Sequence, residues 1–243
     1  MKKTYIILSI IAAVVLIVYA LLPDVFFEED VFPVEDDVSV IAYDDNTDGG
    51  SSEEHMTVTD SALLFDCTLG EDTLRAAWCG LLWNFDKDSL QVYRNWIFVD
   101  SLVFDIEAHG TREVLVKVWT YDPDVTDVRK PRTFRLLMKE LPLREGRRRI
   151  SIPMSHFYTP EFWFKDGKVN AAFNQRHQEA VARVEIAPGW NQARGKKFSL
   201  KIFEIKAIGV SNVYFGIVLG IFLLLTIIAV GRRHHLKNED EEK

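Results

Sequence analysis

Residues 213–230 run for eighteen positions without a charge, and residues 5–22 do the same near the other end of the chain. A helix of that length reaches ~27 Å, close to the ~30 Å thickness of a bilayer's hydrocarbon core. A surface helix of a soluble domain turns one face to water and breaks its apolar run with polar residues. The pattern therefore predicts two transmembrane helices, over residues 5–22 and 210–231. Lys2 and Lys3 precede the first run and Arg232, Arg233 and Lys237 follow the second, whereas Asp24, Glu28, Glu29, Ser211 and Asn212 flank the chain between them. The positive-inside bias then puts residues 1–4 and 232–243 in the cytoplasm and the chain between the spans outside it, in contact with membrane lipid at both ends. A signal peptide is the second reading of the first run, because Val18-Tyr19-Ala20 offers small residues to a peptidase. The run continues through Leu21 and Leu22, which favours an uncleaved anchor. Gly216 and Gly220 form a small-xxx-small pair in the second span, a spacing that serves helix dimerisation or simply faces lipid.

Charge is unevenly spread between the spans. The chain carries −7 overall, yet residues 24–54 alone hold twelve Asp and Glu and no Lys or Arg. Self-repulsion and the Gly49-Gly50-Ser51-Ser52 run predict an extended, flexible acidic linker over residues 23–59. Within it, Val31-Phe32-Pro33-Val34 and Val38-Ser39-Val40-Ile41-Ala42-Tyr43 leave room for a docked strand. Residues 60–209 are mildly basic, with 23 Lys and Arg against 20 Asp and Glu, which is no footprint for nucleic acid.

In residues 60–209 the dominant period is two. Leu102, Phe104 and Ile106 alternate with Val103, Asp105 and Glu107, and Val114, Val116 and Val118 with Leu115, Lys117 and Trp119. Phe134, Leu136 and Met138 repeat the pattern. Further strands fit residues 63–68, 77–83, 149–152, 181–186 and 198–208, the last with a bulge where its phase slips between Ile202 and Phe203. Eight short strands with connections too tight for βαβ crossovers predict an all-β jelly roll or sandwich. Short helical turns are expected only near residues 155–158 and 171–175.

Arg149-Ile150-Ser151-Ile152-Pro153-Met154-Ser155-His156-Phe157, followed by Thr159-Pro160-Glu161-Phe162-Trp163, resembles the strand, turn and Pro-x-Trp-Trp-like segment of bacterial carbohydrate-binding-module-like domains with the galactose-binding jelly-roll fold. Residues 179–186 and 198–205 are similar to the closing strands of such domains. Phe162 stands where a second tryptophan is frequent. The resemblance implies a non-catalytic domain with a carbohydrate ligand, of a type also found in the extracytoplasmic parts of membrane sensors. In this sequence only residues 231–243 follow the second span, so any signal is expected to leave through a membrane protein partner or a homodimer. The alternative is an assembly component of a cell-envelope complex whose sandwich binds another protein.

Aromatic rings stack on the apolar faces of sugars. Trp163 and Trp190 lie beside turn residues, Trp119 lies on the polar phase of its strand near Tyr121, and Tyr158 ends the expected turn; these five are the ligand candidates. Asp122, Asp124 and Asp127 share one loop whose oxygens suit a structural calcium or an ordinary solvated turn around Pro123. Cys67 and Cys79, the only cysteines, are either a disulfide across the first two strands or two buried thiols. No Gly-x-Ser-x-Gly, His-Glu-x-x-His, phosphate loop or Cys-x-x-Cys is present, and His156 and His177 have no metal spacing, so no enzyme is expected.

Overall fold

A computed structural model describes residues 2–22, 25–34, 38–85, 92–210 and 212–241. It divides into two compact units, one of residues 1–27 with 209–243 and one of residues 28–208. In the first unit, helices α1 (Lys2–Leu21) and α3 (Asn212–Glu241) pack against each other, and both are long and apolar enough to cross a membrane. The second helix extends past the span expected to end at residue 231. Around Gly216 and Gly220 the monomer leaves open space where an added methyl would sit.

The second unit is a sandwich of two antiparallel sheets. Its strands are β1 (Val25–Phe32), β2 (Ser39–Asp44), β3 (Glu53–Val58), β4 (Leu63–Thr68), β5 (Cys79–Asn84), β6 (Ser101–His109), β7 (Glu113–Thr120), β8 (Arg135–Pro142), β9 (Gly146–Pro153), β10 (Val181–Pro188) and β11 (Lys197–Val210). The first sheet runs β3-β4-β11-β6-β9, with β1 also on β11, and the second runs β2-β5-β10-β7-β8. From β4 on the chain crosses between the sheets at every connection except β7 to β8, so that β4, β11, β6 and β9 face β5, β10, β7 and β8, the strand order of a jelly roll. The slip in β11 falls between Ile202 and Glu204, as the phase change in the sequence requires.

Alternation explains the core. Leu63 and Phe65 on β4, Phe104 and Ile106 on β6, and Leu200 and Ile202 on β11 meet Leu81 and Trp83 on β5, Val184 and Ile186 on β10, and Val116 and Val118 on β7, all buried. A disulfide joins Cys67 on β4 to Cys79 on β5 and ties one sheet to the other. Closing a loop of 12 residues stabilises the fold by ~3 kcal/mol in the chain-entropy view.

The acidic segment is not the linker expected over residues 23–59. Three strands of the sandwich come from it, with Val31, Phe32 and Val38 buried and the carboxylates of Glu28, Glu29 and Asp30 paired with cations elsewhere. Glu28 and Asp30 pair with Lys206 at 2.5 and 3.6 Å, and Glu29 pairs with Arg94 at 3.3 Å and accepts a bond from Trp96 Nε1 at 3.1 Å. Asp24, Glu35, Asp36 and Asp37, counted in the same acidic run, lie outside the described residues.

Helix α2 (Glu161–Gly167) occupies the segment after Pro160, which serves as its N-cap residue in extended conformation, with Glu161 in the first turn. Lys168 ends it in the left-handed region at φ 52°. The turn near residue 155 is a 3-10 helix (Met154–His156), whereas residues 171–175 form no helix.

Candidate ligand-binding groove

The outward face of the second sheet is not uniformly polar. Leu115, Leu136, Met138 and Ala187 form a small apolar cluster that Trp163 of α2 covers, with its Nε1 donating to the carbonyl of Phe134 at 2.8 Å. Beyond this cluster the face opens into a groove of ≈ 830 Å³. Leu82, Leu136 and Ala187 contribute to its floor; Tyr43 and Trp78 line one part, and Phe162, Trp163, Pro131 and Arg132 another. Mixed apolar walls with a few convergent polar groups are the usual make-up of a ligand site of this size.

Register creates the polar centre. On β10, Arg183 stands opposite Trp119 of β7 and Glu185 opposite Lys117. Glu185 lies on the central strand of its sheet and is 7% exposed. Its Oε1 accepts from the Tyr43 hydroxyl at 2.5 Å and from Lys117 Nζ at 2.6 Å, and its Oε2 from Trp119 Nε1 at 2.7 Å. A buried carboxylate needs this degree of satisfaction to remain in place. Burial, reinforced by the neighbouring Glu185 charge, holds the Tyr43 hydroxyl well above the usual tyrosine range, so it remains a donor. Tyr43 reaches Glu185 only because Gly80, its partner on β5, has no side chain; a Cβ there would lie 2.5 Å from the tyrosine oxygen.

Trp78 is held from the acidic segment. The carboxylate of Asp45, 1% exposed, accepts from the Ser52 N–H and hydroxyl at 2.8 and 2.7 Å and from the Trp78 N–H at 3.0 Å. Burial raises the Asp45 pKa, but these bonds outweigh it and hold the group below the ordinary carboxylate range.

Of the five ligand candidates, Trp119 and Trp163 line the groove. Trp190, 60% exposed, sits edge-on to Phe162 with ring centroids 6.5 Å apart, one ring away from the groove lining. Tyr158 lies elsewhere, its hydroxyl donating to Glu140 at 2.5 Å; burial and that carboxylate push its pKa up to about 12. Tyr121 is also outside the groove, stacked on Tyr93 at 5.4 Å.

Two of the three loop aspartates, Asp122 and Asp127, are paired with cationic side chains within the fold. Asp122 is buried against Arg135 at 2.5 Å, with His177 at 3.6 Å, and its Oδ1 accepts the Asp124 N–H at 3.0 Å. Asp127 pairs with Arg129 and Lys130 at 3.2 and 3.4 Å. Among the described residues no group of three or more His, Cys, Asp or Glu is arranged to hold a metal.

Tyr43, Trp78, Lys117, Arg183 and Glu185 were not singled out by sequence. The available signal was the i, i+2 spacing of Lys117 with Trp119 and of Arg183 with Glu185 on the polar phase of two strands. Only the pairing of those strands makes one constellation of them.

No family model matches the chain, and no curated protein matches it. Among solved structures it is similar to the family 11 carbohydrate-binding module from Clostridium thermocellum in complex with a beta-1,3-1,4-mixed-linked tetrasaccharide. The TM-score is 0.49 and the identity 13%, over 75% of this chain and 95% of that one. It is similar also to the family 30 module of a cellulosomal cellulase of the same organism, with TM-score 0.46 and 12% identity over 74% and 96% of the two chains. An agarase matches at TM-score 0.43 and 6% identity, over 74% of this chain and 24% of the agarase. These likenesses concern the fold, which the strand order defines independently.

Proposed function

We propose that the sandwich is a non-catalytic carbohydrate-binding module carried outside the cytoplasm on the two apolar helices, with the groove on its second sheet as the ligand site. The observation that carries this reading is the convergence of Trp119, Tyr43, Trp78 and Phe162 around hydrogen-bonding charges in one groove. A sugar ring offers an apolar C–H face to an aromatic ring and a rim of hydroxyls to fixed donors and acceptors. The two Glu185 oxygens are already engaged by three donors, an arrangement for positioning rather than for passing a proton. Glycosidases need a second carboxylate placed across the scissile bond, and the other acid lining the groove, Asp166, is exposed on α2.

The test is calorimetric titration of the full chain in nanodiscs, free of sugar-headed detergent, against soluble plant and envelope polysaccharides. Binding by one class is expected, with Trp119→Ala lowering affinity about tenfold or more. Silence across the panel, together with cross-linking to one stoichiometric protein, would favour the assembly role instead.

A further inference from the structure

The charges of the groove do not balance among themselves. Lys117 is matched by Glu185, whose oxygens Tyr43 and Trp119 also occupy. Two guanidiniums, Arg183 and Arg132, line the same groove, and neither forms an ion pair with a carboxylate among the described residues. Arg183 is half-buried, its guanidinium carbon 5.1 Å from the Trp119 ring and 4.8 Å from that of Phe134. One of its terminal nitrogens donates to the carbonyl of Pro131 at 2.5 Å, while its buried Nε has no acceptor. Arg132 follows Pro131 directly, so that one contact brings both arginines to the same stretch of groove. The remaining carboxylate of the lining, Asp166, is exposed to water, where its field is screened.

A guanidinium held by two rings has already lost much of its rotamer freedom and offers a planar fork suited to a carboxylate or a sulfate. Burial works against the Arg183 charge and lowers its pKa, with Glu185 compensating only in part. An anion bound at the terminal nitrogens would supply the missing counter-charge.

We infer that the groove takes an anionic saccharide, one bearing carboxylate or sulfate groups, with Arg183 as its principal anion-binding residue and Arg132 as the second. The inference rests on the carbohydrate reading of the groove and narrows it to a ligand class. Its test uses polymer pairs that share a backbone and differ in charge: polygalacturonate against its methyl ester, and sulfated against unmodified laminarin. Each is titrated into the full chain in nanodiscs. The charged member of at least one pair is expected to bind about tenfold tighter, and the gap should close as ionic strength rises several-fold. Arg132→Gln, at an exposed side chain, should weaken binding of the charged polymer more than of the neutral one. Arg183→Gln should remove most of the preference, with its thermal midpoint checked against the parent protein. Equal or tighter binding of the neutral members would overturn the inference and leave the carbohydrate reading standing. No binding by any of the four polymers would overturn the inference, and silence across the wider polysaccharide panel as well would overturn the carbohydrate reading.

Discussion

Asp45 accepts two hydrogen bonds from Ser52 within the acidic segment and one from the Trp78 N–H at the groove, so its removal is expected to act on both stability and binding. Asp45→Asn keeps one acceptor but loses the charge, and bonds to a charged group are worth about 1.5–3 kcal/mol each. Destabilisation of about 2 kcal/mol at neutral pH is expected by chemical unfolding, with a weaker hold on Trp78. The sign of the pH dependence follows from the folded pKa lying below the unfolded one. This stabilisation is complete above the ordinary carboxylate range and lost as pH falls below about 4. The parent protein should therefore lose stability on acidification more steeply than Asp45→Asn. Asp66 and Asp105, lowered in the same sense, leave the variant some acid sensitivity of its own. None of this was readable at Asp45, one acid among twelve in its segment, because its partners Ser52 and Trp78 are brought to it only by the fold. Trp119 was legible, since its place on the polar phase of a strand already set it apart from the core.

At the scale of elements, the eight strands from β4 to β11 followed from alternation, and β1 to β3 did not. Net charge dominated the reading of residues 24–54, yet a strand needs only one apolar face, and its charged face can be neutralised by a neighbour. Lys206 on β11 does this for Glu28 and Asp30. A chain beginning at residue 60, where alternation alone would start the domain, should consequently be defective. Loss of buried Val31, Phe32 and Val38 alone removes about 5 kcal/mol or more. The edges of β4 and β5, paired with β3 and β2 in the intact protein, would be opened to other chains. Light scattering and thermal unfolding of this truncation, compared with the parent protein, should show aggregation and a lower midpoint. A truncation as stable as the parent would refute the structural role assigned to β1–β3. Helix α2 escaped the sequence reading for a different reason: at seven residues it is too short to show a helical period, and it depends on Trp163 packing over the second sheet.

For the whole molecule, the proposed topology, in which both apolar helices span the membrane, would put both termini on one side. Protease added to intact cells or right-side-out vesicles is expected to reach the sandwich while an epitope at either terminus stays protected. Access to either epitope without permeabilisation would contradict the arrangement. The jelly roll was legible from strand count and spacing, whereas the groove was not, because it is built from residues of β2, β5, β7, β8, β10, α2 and the stretch before β8 that are remote in sequence. The placement of β1 beside β11 has a mechanical corollary. The strands by which the chain enters and leaves the sandwich belong to one sheet and bond to each other. Tension between the two ends would load that pair first, ahead of the opposite sheet on which the proposed ligand site lies.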